Sequence, residues 1–359
     1  MRKRRVMYVL STYPQISQTY IHAEIAALVD DHEIRVFAQH GPNLPAENSL
    51  PYEIVTDEDA LLTEVENFHP DVIHTHYLHM LKKIGPLAER SGTPFTLRTH
   101  SFDVLTPRTR QRSIRGLLGD LAHTDALARY APTPRQKAVG YINNELCLGA
   151  LAFPFVRPLL ERYGATGDKI IDCFPVVNYA AFYDRGENDD AVMNVGAALP
   201  KKQMKDFITL GAMCPELTFN LYAMGYDVQQ LEEANRKAGD PIKIMAPVQP
   251  GDMSAEYKKH QWLVYTASFE LRNVGWPMAV AEAQAAGVGV CMANIRPDLA
   301  DYVGDAGFLY DSIEEVADLV RKPVPPALRE AGFEQAKRSD IQSHIHLLTD
   351  LWNRVPVAG

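Results

Sequence analysis

Glu282 stands alone in the run Val274-Gly-Trp-Pro-Met-Ala-Val-Ala-Glu282-Ala-Gln-Ala-Ala-Gly287, where almost every other residue is small or apolar. Pro277 and Gly287 punctuate that run as a helix start and stop, and 288–291 reads as a buried strand. A carboxylate on so apolar a helix costs free energy unless something hydrogen-bonds it. A pair of ligand hydroxyls suits it, because one carboxylate accepts two parallel bonds. The plain alternative is a solvated Glu on the one exposed stripe.

Other residues could join it. Asn194-Val-Gly196-Ala-Ala-Leu-Pro-Lys201-Lys202-Gln203 follows a strand pattern and precedes a helix over 204–213. Gly196 allows a sharp turn, and Lys202 at a helix start, with backbone N–H groups, could hold a diphosphate. A solvated lysine is equally ordinary there, and neither the P-loop nor the GxGxxG spacing is present. Arg98-Thr-His100-Ser-Phe-Asp103 closes another strand. His100 could bond a sugar hydroxyl and Asp103 could orient it, or both could satisfy loop backbone. His74 and His76 point the same way in a strand, as a metal pair would, but no third ligand is evident and no metal is expected. Tyr13, Pro14 and Ser17 occupy the first strand-to-helix loop, with Ser17 the expected N-cap of a helix over 18–29. Arg108, Arg110, Arg112 and Arg115 make a basic amphipathic stretch that suits an anionic membrane surface or a solvated helix.

These residues are carried by alternating β and α patterns. Strands are expected over 6–10, 33–37, 72–75, 95–99 and 128–132. Helices are expected over 18–29, 57–68, 78–90, 112–121 and 135–148. A second series restarts near residue 180, with strands over 191–195, 218–224, 242–245, 263–266 and 288–292. Such alternation predicts an α/β chain of two Rossmann-like, doubly wound parallel-sheet domains facing a cleft, with ligands at the carboxyl ends of the strands. The boundaries are 1–178, 179–332 and a last helix over 333–354, within 333–359, that crosses back to the first domain.

Composition limits the function classes. At 359 residues the chain exceeds one small core. Residues 1–178 hold 19 Lys/Arg against 20 Asp/Glu, and the remainder 17 against 25. No whole face is basic, which excludes an ordinary nucleic-acid binder. The basic opening before 6–10 starts like a signal peptide, but the apolar run stops at Ser11 without a cleavage site. Cys147, Cys173, Cys214 and Cys291 stand singly, so reduced thiols and a cytoplasmic protein are expected. The basic arginines and the apolar run 146–160 together suggest peripheral contact with the inner membrane face.

In order and spacing, Asp71-Val-Ile-His74-Thr-His76, Thr99-His100-Ser-Phe-Asp103, Val195-Gly196 with Lys202, and Gly275 through Glu282-Ala-Gln-Ala-Ala-Gly287 resemble the family 4 glycosyltransferases. Leu221-Tyr-Ala-Met-Gly225 and Asp298-Leu-Ala-Asp-Tyr-Val-Gly-Asp-Ala-Gly307 add to the likeness, which spans nearly the whole chain. The resemblance implies the GT-B fold and a retaining, metal-independent hexosyltransferase with no cofactor beyond its nucleotide-sugar donor, a UDP- or GDP-sugar. It implies Glu282 on the ribose, Lys202 on the diphosphate and His100 beside the donor sugar, the three catalytic candidates. The donor site would comprise Gly196, Lys202, Arg272, Val274, Gly275, Trp276, Pro277 and Glu282. The acceptor, a lipid or glycan, would meet Tyr13, Pro14, Ser17, His76 and Asp103. Two positions depart from the pattern: Val274 stands where the family has the first Glu of its E-x7-E motif, and Ala197 where it has an Arg. Those departures keep two alternatives open, a catalytically degenerate sugar-nucleotide binder and a two-Rossmann sugar-nucleotide epimerase.

Overall fold

The computed structural model describes residues 2–105, 133–225 and 227–357. The chain divides into two compact units, Met1–Phe174 with His344–Gly359, and Pro175–Ser343. The first contains a parallel sheet of seven strands in the order β3-β2-β1-β4-β5-β6-β7. These are β1 Arg4–Thr12, β2 His32–His40, β3 Tyr52–Ile54, β4 Val72–His76, β5 Phe95–Arg98, β6 Cys147–Ala152 and β7 Ile170–Asp172. The second contains six parallel strands in the order β10-β9-β8-β11-β12-β13. They are β8 Ala191–Ala197, β9 Phe219–Met224, β10 Lys243–Ile244, β11 His260–Tyr265, β12 Gly289–Ala293 and β13 Phe308–Tyr310. Both orders reverse direction beside their first strand, at β1/β4 and β8/β11, and ligands of such sheets bind outside the carboxyl ends at that switch point.

Three expected elements differ. The helix pattern 135–148 gives a helix only over Pro134–Gly140, and Cys147–Ala152 is instead strand β6. Gly149 explains the change: a Cβ there would lie 2.9 Å from Leu351, so this stretch is small and apolar in order to pack as an inner strand. Much of the apolar run 146–160 is therefore core, with Cys147, Ala150, Leu151 and Ala152 fully buried, and is not a membrane-facing surface. The single helix over 333–354 is two, Pro326–Lys337 and Ile341–Trp352. It breaks because the Val177 amide donates to the Ser339 carbonyl (2.8 Å) and the Ile341 amide to the Val177 carbonyl (2.9 Å), which takes those groups out of the helical ladder. Ser17 is exposed and does not cap the first helix. That helix, Thr19–Ala26, starts from Gln18, whose amide turns back to the Gln15 carbonyl.

The expected strand 128–132, the helix 112–121 and the arginines 108, 110, 112 and 115 lie outside the described residues. No helix among the described residues is long and apolar enough to cross a membrane. All four cysteines are free and buried.

Candidate functional site in each unit

In the second unit, Met278–Ala285 is a helix of alanines and other strong helix formers starting after Pro277. It ends where the Val288 amide donates to the Ala283 carbonyl and the Gly287 amide to the Gln284 carbonyl, a Schellman closure. Gly287 has φ +74°, which favours glycine. Glu282 is 8% exposed. Its Oε2 accepts the Tyr257 hydroxyl at 2.8 Å, while Oε1 has no hydrogen bond among the described residues. Burial pushes the Glu282 carboxyl up to about 7 against the lowering effect of Tyr257. Near neutral pH it is therefore poised between its acid and carboxylate forms.

Lys202 ends the turn Pro200–Lys202 at the carboxyl end of β8. Gly196 takes φ +140°, and a Cβ there would lie 3.5 Å from Lys202 Nζ, so the ammonium is folded over a bare backbone. The ammonium sits 4.1 Å from the centre of the Tyr265 ring, at the end of β11. It has no acidic partner and no side-chain hydrogen bond among the described residues. Burial, aided by Lys201, lowers it to about 7. Asn194 donates to the Thr266 hydroxyl (2.9 Å), which donates to the Lys202 carbonyl (2.7 Å), locking the ends of β8 and β11 to this turn.

The loop ahead of the Glu282 helix is braced rather than open. Arg296 forms a two-point ion pair with Asp298 (2.8 and 3.0 Å) and donates to the carbonyls of Arg272 (3.1 Å) and Val274. Trp276 donates to Asp298 (2.9 Å) and stacks on Tyr302, whose hydroxyl donates to the Pro277 carbonyl (2.6 Å). Val274 and Trp276 are buried, at 3% and 5% exposure, whereas Arg272 is exposed. Two of the expected donor-binding side chains thus shape the loop from within.

In the first unit, the pairings Tyr8↔His74↔Thr96 and His76↔Arg98 place five side chains on one face of three neighbouring strands. Glu24 drops onto this face from the helix Thr19–Ala26 and is fully buried. Its Oε2 accepts Arg98 Nε at 2.7 Å, and its Oε1 accepts the Tyr8 hydroxyl at 3.0 Å and meets His76 Nε2 at 3.1 Å. His74 Nε2 comes within 3.0 Å of the same oxygen at an angle that makes no hydrogen bond. Burial alone would raise the Glu24 carboxyl, but Arg98, His74 and His76 hold it well below the usual carboxylate range. Glu24 is the third potential metal ligand absent from the sequence reading, and its ligand atom lies within 4.8 Å of those of His74 and His76.

His76 is sealed from solvent; beyond Glu24, its ring's one hydrogen-bond contact among the described residues is with His100, with Nδ1 at 2.8 Å from His100 Nε2 and the rings stacked. His100 sits at the carboxyl end of β5 beside Tyr20 and Tyr77, and burial holds its imidazole well below the usual range. Asp103 accepts the amides of His100 (2.9 Å) and Leu78 (2.6 Å), tying together the loops after β4 and β5. Tyr13 and Pro14 are buried, and the Tyr13 hydroxyl accepts the Leu50 amide at 3.1 Å.

No protein-family model matches the sequence, and no curated protein does. Solved structures do match in shape. HepE of Anabaena in complex with UDP-glucose superposes with a TM-score of 0.75 at 12% identity, covering 98% of this chain and 100% of that one. Sucrose-phosphate synthase from Thermosynechococcus elongatus gives 0.73 at 14% identity, covering 98% and 99%. AviGT4, a glycosyltransferase involved in avilamycin A biosynthesis, gives 0.61 at 14% identity, covering 97% of each. At these identities the likeness is one of fold: two parallel-sheet, Rossmann-like units of the type found in GT-B glycosyltransferases.

Proposed function

We propose that the chain is a retaining glycosyltransferase of the family 4 kind that takes a hexose or hexuronic acid from a UDP- or GDP-sugar. The observation that carries this reading is Lys202, a half-buried ammonium at a sheet switch point that lacks any acidic partner among the described residues. An ammonium in that setting is stabilised when an anion arrives, and a diphosphate fits the bare turn at Gly196. Glu282, with Oε1 open, would take the ribose hydroxyls. Stabilising the departing diphosphate accelerates transfer electrostatically, and no protein nucleophile is assigned. His100 would meet the donor sugar, and the loops after β1 and β4 in the first unit would meet the acceptor.

The reaction is proposed to need no metal. Arg98 already balances Glu24, so a divalent ion between Glu24, His74 and His76 would leave a buried double charge uncompensated. Activity unaltered by EDTA is the expected result. A lipid-borne acceptor, and with it attachment to the inner membrane face, rests on Arg108, Arg110, Arg112 and Arg115 alone. Co-sedimentation with anionic liposomes, lost when all four become Glu, tests it.

Titration calorimetry with UDP, GDP and UDP-glucose tests the donor site. One nucleoside diphosphate should bind, at least tenfold more weakly in Lys202→Ala and Glu282→Ala. Binding by none overturns the reading. With UDP-glucose as donor, slow hydrolysis should release the α-anomer first, as retention requires. Binding with neither transfer nor hydrolysis would favour a degenerate donor binder, the reading motivated by Val274 and Ala197.

A further inference from the structure

The polar cluster beneath His100 has a direction. Glu24 is paired at 2.7 Å with the buried guanidinium of Arg98, an always-charged donor, so it is held as a carboxylate and brings no hydrogen to any of its contacts. The hydrogen between Glu24 Oε1 and His76 Nε2 at 3.1 Å therefore belongs to His76. A neutral His76 with hydrogen on Nε2 has a bare Nδ1. The 2.8 Å contact of that Nδ1 with His100 Nε2 then requires hydrogen on His100 Nε2. A neutral His100 so arranged has a bare Nδ1 in its turn, and that atom has no partner among the described residues. Arg98 already matches the Glu24 carboxylate, and burial disfavours a second cation on either imidazole, so both rings are neutral and each step follows from the one before it.

We propose that Glu24 is a positioning residue that, through His76, fixes the tautomer of His100 and leaves His100 Nδ1 as an acceptor for a sugar hydroxyl. The second half of this statement rests on the glycosyltransferase reading; the first half does not. The arrangement makes His100 a selector. A donor hydroxyl that gives its hydrogen to Nδ1 is accepted, and the same position blocked or fluorinated is rejected. It also removes His100 from acid catalysis, since its only hydrogen is committed inward to His76.

Glu24→Gln reverses the chain. Arg98 can only donate, so the amide oxygen must face Arg98 and the amide NH2 must face His76. His76 then needs a bare Nε2, its hydrogen moves to Nδ1, and the hydrogen of His100 moves to its own Nδ1. Nitrogen-15 imidazole spectra of the full chain read this directly. The expected result is hydrogen on His100 Nε2 in wild type and on Nδ1 in the variant. Hydrogen on His100 Nδ1 in wild type overturns the relay. So does an unchanged tautomer in a folded Glu24→Gln, because a merely structural Glu24 would lower stability without moving a proton. Should the variant fail to fold, the wild-type spectrum decides alone.

A panel of UDP-glucoses with one hydroxyl at a time replaced by fluorine tests the selector. One position should lose about tenfold or more in wild-type affinity, and that discrimination should shrink in Glu24→Gln. Equal tolerance at every position overturns the assigned role of His100 Nδ1. If neither UDP-glucose nor UDP nor GDP binds, the glycosyltransferase reading fails, while the spectra still decide the relay; if GDP binds instead, the same fluorinated panel is run on the GDP-sugar.

Discussion

Replacing Glu282 by Gln should stabilise the second unit at alkaline pH and weaken nucleotide binding at the same time. Burial raises this carboxyl from 4.5 to about 7. A raised folded pKa gives stability that is complete below the unfolded value and is lost as pH rises through the folded one. At about 1.4 kcal/mol per pKa unit, ionised Glu282 costs the wild type roughly 3 kcal/mol at pH 8 and under about 1 kcal/mol at pH 5. Gln keeps the shape and still accepts the Tyr257 hydroxyl, without the charge. Unfolding of wild type and Glu282→Gln should therefore diverge with pH, reaching roughly 6–12 °C in midpoint at pH 8. The same variant should bind nucleotide at least tenfold more weakly, the trade of stability for function expected of a site residue. A variant no more stable than wild type at pH 8 would refute the reasoning, because Glu282 would then not be a desolvated carboxylate.

Three further outcomes are expected. Lys202 is lowered to about 7, so it is mostly neutral at pH 8, and a bound diphosphate should restore its charge. UDP binding should take up close to one proton, read as a dependence of the calorimetric enthalpy on buffer, and Lys202→Met should abolish that dependence. Arg98→Met strips Glu24 of its buried counter-ion and should destabilise the first unit by about 3–5 kcal/mol in denaturant unfolding; a loss below about 1 kcal/mol would count against an ionised Glu24. Trp352→Ala removes a fully buried ring that donates to Thr96 at 3.0 Å, and should cost the first unit about 3–5 kcal/mol. Unchanged unfolding would mean that the last helix does not hold that unit together.

The sequence by itself determined what local pattern can carry. The strand–helix alternation specified two parallel sheets, because unbroken apolar runs between amphipathic stretches have few other solutions. Pro277 and Gly287 marked the Glu282 helix to within a residue. Glu24 was also legible in principle: it shares a helix face with the buried residues Ile21 and Ile25, and a charge there needs a partner. The sequence could not name that partner, since Arg98 lies 74 residues away.

What only the tertiary structure decided is which long-range contacts override local preference. The helix pattern of 135–148 yielded to strand β6, because sheet pairing and the Gly149–Leu351 contact reward an extended chain there. The last helix broke because Val177, more than 160 positions earlier, takes hydrogen bonds the helix would otherwise use. The chemistry followed the same division. Glu282, Lys202 and His100 stood out as residue types, but an ammonium without an acid among the described residues, a carboxylate half satisfied by Tyr257, and a His100 tautomer set by Glu24 exist only once the strands are in register. Burial and hydrogen-bond direction are properties of three-dimensional neighbours, and a one-dimensional pattern holds neither.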